Sequence, residues 1–172
     1  APVQPEWRLD DVPATNDAPI RIIAGPQAEH FTAEAWNTFL NAEYRIGQAA
    51  DRMGMRLDGP ALTHHDAASR DIVSDAVIPG AIQVPGHGQP IVLLADAQTA
   101  GGYPKIACVI SADLQRLATR RPGETVRFAC VDSATGEAAA RTAHAALQRR
   151  LASLRRLTAE GIDLAALYPD ND

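Results

Sequence analysis

A mainly β domain, barrel-like or sandwich-like, with a few helices is what this sequence predicts. Three observations carry that expectation. Seven short extended runs recur from residue 20 onward, Gly or Pro punctuates many of the gaps between them, and only three stretches show helical spacing. The chain has 172 residues, 46% hydrophobic and 22% charged, enough for one domain with a sizeable core and far from a disordered composition.

Residues 1–19 are polar and Pro-rich, with Trp7 as their only large side chain, and read as a tail or linker. The chain opens on Ala rather than Met, as a fragment or a processed chain does. The barrel domain is expected over 20–134. Its first run is IRIIA at 20–24. A helix follows at 32–40, where Thr32 can cap and Phe31, Ala35 and Phe39 share a face. Further runs lie at 43–47, 71–74, 81–84, 90–95 and 105–110. A second helix is expected at 111–121, with Ser111 as N-cap, Leu114, Leu117 and Ala118 as its apolar stripe, and Pro122-Gly123 as its stop. After a run at 125–131 comes the longest helix, placed at 135–160. There Ala140, Ala143, Leu147, Leu151 and Leu154 recur at three- to four-residue spacing. Arg149, Arg150, Arg155 and Arg156 near its end complement the helix dipole. Residues 161–172 read as a frayed tail.

The net charge of −5 argues against non-specific nucleic-acid binding and against an anionic membrane surface. No apolar run approaches the roughly 18 residues that span a bilayer, and the N-terminus lacks a signal-peptide pattern. A cytosolic setting is expected. Cys108 and Cys130 sit in apolar runs and read as buried free thiols rather than a disulfide framework. Five scattered histidines show no metal spacing, so no metal is expected, and the His64–His65 pair reads as exposed loop.

Fifteen of the sixteen basic residues are Arg; the remaining one is Lys105. In an Arg-biased background a retained Lys points to a position where Arg cannot substitute. Lys is a compact ammonium able to act as acid, base or phosphate ligand, whereas Arg is planar and does not deprotonate. Gly and Pro concentrate between 79 and 104, just ahead of it. Gln83 lies on a short strand there and suits recognition of an amide or carbonyl. The buried run at 90–95 then delivers Asp96, Gln98 and Thr99, followed by Gly101, Gly102 and Tyr103, to the end of a rigid element. Paired glycines let backbone N–H groups approach a ligand, although the P-loop spacing is absent. A second polar cluster spans 51–60. Its Asp51, Arg52, Arg56 and Asp58 form either a structural ion-pair corner or, through Arg52 and Arg56, a clamp for carboxylate or phosphate.

Three stretches together carry a resemblance: DRMGMRLDGP, then IVSDAVIPGAIQVPGHGQPIVLLADAQTAGGYPKIACVISADL, then PGETVRF. They resemble the C-terminal half of the biotin-dependent carboxyltransferase/allophanate hydrolase subunit 2 family, which includes the C component of bacterial 5-oxoprolinase and KipA-like proteins. They are also similar to the carboxyltransferase domain of urea carboxylase. The resemblance runs from about Ile22 to Val131, and its GAIQVP and QTAGGYPKIA blocks are its most specific parts. It implies a cyclophilin-like β-barrel. It further implies partners like the B and A components of 5-oxoprolinase, with which 5-oxo-L-proline is opened to L-glutamate as the assembled complex hydrolyses ATP. Lys105 and Asp96 would be the catalytic pair, and Gln83, Gln98, Thr99, Gly101, Gly102, Tyr103, Arg52 and Arg56 the substrate-binding set. The family's usual chain is about twice this length, so an N-terminal half is expected to be absent and the chain alone inactive. Where the family commonly has Arg, this chain has Ala97. Two alternatives share the resemblance. One is a biotin-dependent carboxyltransferase or urea-degrading component, with biotin carried on another domain. The other is a KipA-type regulator that binds a kinase inhibitor without catalysis.

Overall fold

The computed structural model describes residues 17–153 and, by backbone alone, 7–8 and 155–156. The strands are β1 Trp7–Arg8, β2 Ile20–Ala24, β3 Tyr44–Ile46, β4 Gly54–Asp58, β5 Asp75–Ala76, β6 Ala81–Gln83, β7 Ile91–Leu93, β8 Ala100–Gly101, β9 Lys105–Val109, β10 Thr125–Val126, β11 Phe128–Cys130 and β12 Arg155–Arg156. The helices are α1 Ala33–Asn41, α2 Ser111–Ala118 and α3 Ser133–Ala152. Two units are distinguished, one of residues 15–140 and one of 1–14 with 141–172.

Eight strands of the first unit form one sheet in the order β10-β3-β4-β7-β6-β9-β2-β11. All neighbours are antiparallel except β11 and β2, which are parallel. The two edge strands, β10 and β11, are separated in the chain by Arg127 alone. A sheet whose first and last strands are that close must curl round on itself, so the architecture is a nearly closed barrel. Mainly β with short helices and a C-terminal helix is therefore the fold found.

Alternation explains the strands. β2, β3 and β4 bury every second residue: Ile20 and Ile22, Tyr44 and Ile46, Met55 and Leu57. The central strand β6 is buried on both faces, which suits its short apolar run. α1 is capped as expected, Thr32 Oγ1 accepting the Ala35 N–H at 3.1 Å. It lays Ala35 and Phe39 on the core beside Phe31. Phe39 stacks on Phe128 at 4.8 Å and meets Tyr44 edge-on. Burial pushes the Tyr44 phenol up to about 12, and its hydroxyl donates to the Pro60 carbonyl at 3.1 Å.

Several expectations are corrected. Residues 51–60 are not only a polar corner, because Gly54–Asp58 is a strand whose Met55 and Leu57 enter the core between charged neighbours. The extended run at 71–74 lies outside any strand, with β5 beginning at Asp75. Ser111 is the first residue of α2, not its cap. Ile110 holds that position without a side-chain cap, and the helix stops at Ala118, where Ala118 is exposed. α3 begins at Ser133, since Asp132 Oδ1 accepts the Thr135 N–H at 2.7 Å, and ends at Ala152. Arg155 and Arg156, expected within it, are extended and pair with Trp7 and Arg8. Its expected continuation at 157–160, and the tails at 1–6, 9–16 and 161–172, lie outside the described residues. Along α3 the expected stripe is exposed at Leu147 and Leu151. Cys130 is exposed and Cys108 half-buried, both as free thiols. His64 is buried, its Nε2 3.1 Å from the Val84 carbonyl and its ring 4.8 Å from that of Phe31.

Candidate functional site

Strand β9 is flanked by β6 and β2, and its pairing with β6 is irregular at one point. Ala81 faces Cys108 and Ile82 faces Ala107, but Gln83 faces Lys105 rather than Ile106. The extra residue is a β-bulge. It sets the side chains of Lys105 and Gln83 opposite one another at the end of the strand pair, and bulges of this kind re-aim side chains beside functional sites.

Both side chains are buried, Gln83 at 2% and Lys105 at 4% exposure, and few other polar residues are buried among the described ones. An ammonium so enclosed needs a partner. Lys105 Nζ donates to Asp75 Oδ2 at 2.6 Å and to the Ala76 carbonyl at 3.1 Å. Asp75 and Ala76 form β5, which pairs only with β8 in a separate two-stranded ribbon, Asp75 opposite Gly101 and Ala76 opposite Ala100. Bonding to Lys105 above all, then to the Ala76 N–H, holds the Asp75 carboxyl below the usual carboxylate range. Gln27 completes the cluster. Its side-chain oxygen accepts the Lys105 backbone N–H at 3.2 Å, and its backbone N–H donates to the Lys105 carbonyl at 3.3 Å.

Gly101 belongs where it is because Gln83 lies against it: a Cβ there would meet the Gln83 Nε2 at 2.5 Å. That same Nε2 donates to the Tyr103 carbonyl over 3.4 Å, a long bond that holds the amide weakly. The Gly102 carbonyl accepts the Ile72 N–H and the Thr99 carbonyl accepts the Val77 N–H, so the ribbon is held by backbone bonds at both ends.

Lys105, Gln83, Gly101, Gly102 and the Tyr103 backbone thus come together. The other expected site residues lie elsewhere. Asp96 pairs with Arg52, whose Nε is 2.8 Å from Asp96 Oδ2; the Arg52 side chain is largely in solvent and that of Asp96 nearly half so. Gln98 and Thr99 are exposed in the loop before β8, and Arg56 is exposed on β4. Arg52 also stands at the edge of a cavity of about 480 Å³ lined chiefly by Ala50, Met55, Pro79, Leu94 and Leu114; Lys105 is not among its lining residues. Sequence reasoning missed Asp75 and Gln27. The chain between Ile72 and Lys105 offers several acidic and amide residues, and only the ribbon's folding back selects Asp75. A buried lysine does announce that some carboxylate must reach it. Among the described residues no group of His, Cys, Asp or Glu is arranged to hold a metal, and no helix is long and apolar enough to cross a membrane.

What the arrangement offers chemically is a fixed positive charge, an amide donor and glycine backbone on one side of a short ribbon. That combination suits an amide or lactam carbonyl on which negative charge develops.

The profile of the family described as carboxyltransferase domain, subdomain A and B, matches residues 2–130. Among curated proteins, the chain is similar to the C component of 5-oxoprolinase from Escherichia coli, 40% identical over 63% of this chain and 34% of that protein. The Haemophilus influenzae protein of the same name is 41% identical over 65% of this chain and 36% of its own length. The chain therefore spans about a third of the length of these relatives. Among solved structures, urea amidolyase of K. lactis shares the fold, with a TM-score of 0.65 at 22% identity over 72% of this chain and 8% of that one. TTHA0988 superposes with a TM-score of 0.61 at 35% identity, over 75% of this chain and 24% of that one.

Proposed function

Because this chain belongs to the family of carboxyltransferase domains, subdomains A and B, we propose that it forms the C-terminal part of one component of an ATP-dependent 5-oxoprolinase. In that role it opens 5-oxo-L-proline to L-glutamate together with partners like the A and B components of such an enzyme. Identity of 40% and 41% to two proteins named as the C component of 5-oxoprolinase supports the reading. The observation that carries it at the level of chemistry is the buried Lys105 ammonium set opposite the Gln83 amide by the bulge.

In this reading the lactam carbonyl lies toward Lys105 and Gln83. The Gln83 N–H₂ orients the carbonyl oxygen, and the Lys105 ammonium balances the negative charge of the phosphoryl group which that oxygen takes up. ATP supplies that group on the assembled complex. Water then adds to the carbonyl carbon, the ring C–N bond breaks and the nitrogen takes up a proton, which leaves the new carboxyl as an acyl phosphate; a second water hydrolyses it to the carboxylate and inorganic phosphate. A preorganised charge costs no reorganisation at the moment of reaction, and Gln27, which bonds both the backbone N–H and the carbonyl of Lys105, provides that fixing. Asp96, expected as a catalytic partner, holds Arg52 in this state; a role in the reaction would have it leave that exposed pair on assembly.

The test is phosphate release from ATP by the protein combined with candidate A and B components, and with the segment its relatives carry and this chain does not span. Release that depends on 5-oxo-L-proline, is lost in Lys105→Ala and is scarcely restored in Lys105→Arg is the expected result. Release that depends on urea and a biotin-bearing partner moves the assignment to carboxyl transfer. Partner binding without turnover for either substrate moves it to a KipA-type regulator.

A further inference from the structure

The Lys105 ion pair is lopsided. Its cation is enclosed, with 5% of the side chain exposed, whereas the Asp75 carboxylate has 50% of its side chain in water. Both acceptors of the ammonium, Asp75 Oδ2 and the Ala76 carbonyl, come from adjacent residues of one strand. That strand is two residues long, pairs only with another of two residues, and stands outside the eight-stranded barrel. Little apolar contact ties it down. Val73 on one flank is 93% exposed and Ile78 on the other 60%. Short elements with few buried apolar contacts open at the lowest free energy in a fold.

From this we infer that Asp75 occupies on Lys105 the place of an anionic oxygen of the ligand, carboxylate or phosphoryl, and that the β5–β8 ribbon yields when such a ligand binds. The inference does not depend on which reaction the assembled protein performs. Lifting the ribbon alone would leave a buried ammonium without a counter-charge, so opening is unfavourable by itself. An incoming anion removes that obstacle, and a neutral molecule does not. Binding and opening are therefore coupled, and the differential affinity for the open state comes from the anion's contact with Nζ. Behind the ribbon the ligand meets the Gln83 amide, whose present bond to the Tyr103 carbonyl is long enough to be exchanged.

Competition makes the sign of one substitution diagnostic. Asp75→Asn keeps the side chain's shape and removes the internal anion. On this inference the variant binds 5-oxo-L-proline or inorganic phosphate more tightly than the wild type, by on the order of ten-fold or more in calorimetric titration, because a competing like charge is gone. The carboxylate and phosphate arms decide which source of anion fits; tightening in either supports the inference. The neutral lactam 2-pyrrolidinone serves as control, and an equal gain for it overturns the idea, as does unchanged or weaker binding of both anions. Should Asp75→Asn not fold, hydrogen exchange on the wild type gives the answer. Saturating phosphate is expected to speed exchange of the ribbon amides of Ile72 and Val77 and to leave barrel amides such as Ile20 unchanged; no change at the ribbon refutes it. None of these measurements uses turnover or partner proteins, so failure of the oxoprolinase reading and failure of this one are separable.

Discussion

A Cβ added at Gly25 would lie 2.2 Å from the backbone oxygen of Lys105, 2.8 Å from the Ala107 nitrogen and 2.8 Å from the Ile106 carbonyl carbon. All three atoms are backbone of β9, so no rotamer change relieves the clash. Gly25→Ala is expected to cost at least the roughly 1–3 kcal/mol of an overpacked core and to disturb the bulge that aims Lys105. Gly101→Ala makes the informative contrast. Its Cβ meets the far end of the Gln83 side chain, which can rotate away at the cost of a displaced rotamer, about 0.5–1.5 kcal/mol. Urea denaturation should rank Gly25→Ala well below Gly101→Ala, while Gly101→Ala alone should weaken ligand binding at near-normal stability. His64 gives a prediction in pH. Burial, more than any other influence, lowers its pKa from the ordinary 6.5. The neutral ring is thus favoured in the folded state, and the unfolded chain binds more protons between the depressed value and 6.5. Stability is full above that ordinary value and falls as pH drops below it. Melting at pH 7.5 and 5.5 should show this loss, and His64→Gln should reduce it. Of these residues, Lys105 is legible in the sequence because it stands alone among arginines. Asp75 and Gln27 are not, since their roles come from a ribbon and a turn folding onto β9 from positions 30 and 78 residues away. His64 misleads because its polar neighbours say nothing of Phe31, whose ring lies tilted against it.

Helix α2 is fastened to β2 by a side chain that a helical wheel would put among its polar residues. Asp113 is 2% exposed and accepts bonds from Arg21: Nη2 at 2.7 Å, Nε at 3.0 Å and the backbone N–H at 2.8 Å. Burial opposes ionisation of Asp113, and the bonds from Arg21 outweigh it, so its pKa is lowered. The corresponding stability is present above the ordinary carboxylate value of 3.8 and is lost as pH falls through the depressed one. Arg21 is itself 37% exposed, so Asp113→Ala belongs toward the lower end of the roughly 3–5 kcal/mol seen when one partner of a buried pair is removed. The exposed Arg52–Asp96 pair resembles it on paper and is worth about 0–1 kcal/mol. Thermal melts of Asp113→Ala and Asp96→Ala should therefore differ by several degrees. The same contrast shows what is readable among the elements. α1, with its cap and apolar face, can be placed to within a residue. β4 is hidden because Arg56 and Asp58 mask the alternation of Met55 and Leu57, and β8 is too short to carry a period. α3 reads too long because alanines and leucines keep helical spacing as far as Leu154, past Ala152 where the helix ends.

The barrel as a whole depends on the segment 125–130, which pairs with β3 before Arg127 and with β2 after it. Phe128 locks that seam from inside, stacked on Phe39 and 6.3 Å from Tyr44. Phe128→Ala should cost about 3–5 kcal/mol and, because it loosens both edges at once, should broaden the unfolding transition as well as lower it. Arg127 closes the outside of the seam through its pair with Glu43. The consequence reaches into biosynthesis. β2 is the first strand of the barrel to be made, yet both its neighbours, β9 and β11, are among the last. On the ribosome its two rows of N–H and C=O groups stay open while some eighty residues are added, and the second row until Cys130 has emerged. An early strand kept waiting at both edges is an invitation to the wrong partner, so a nascent chain whose emerged part ends short of Phe128 should be far more readily captured by chaperones or proteases than one whose emerged part extends beyond Val131.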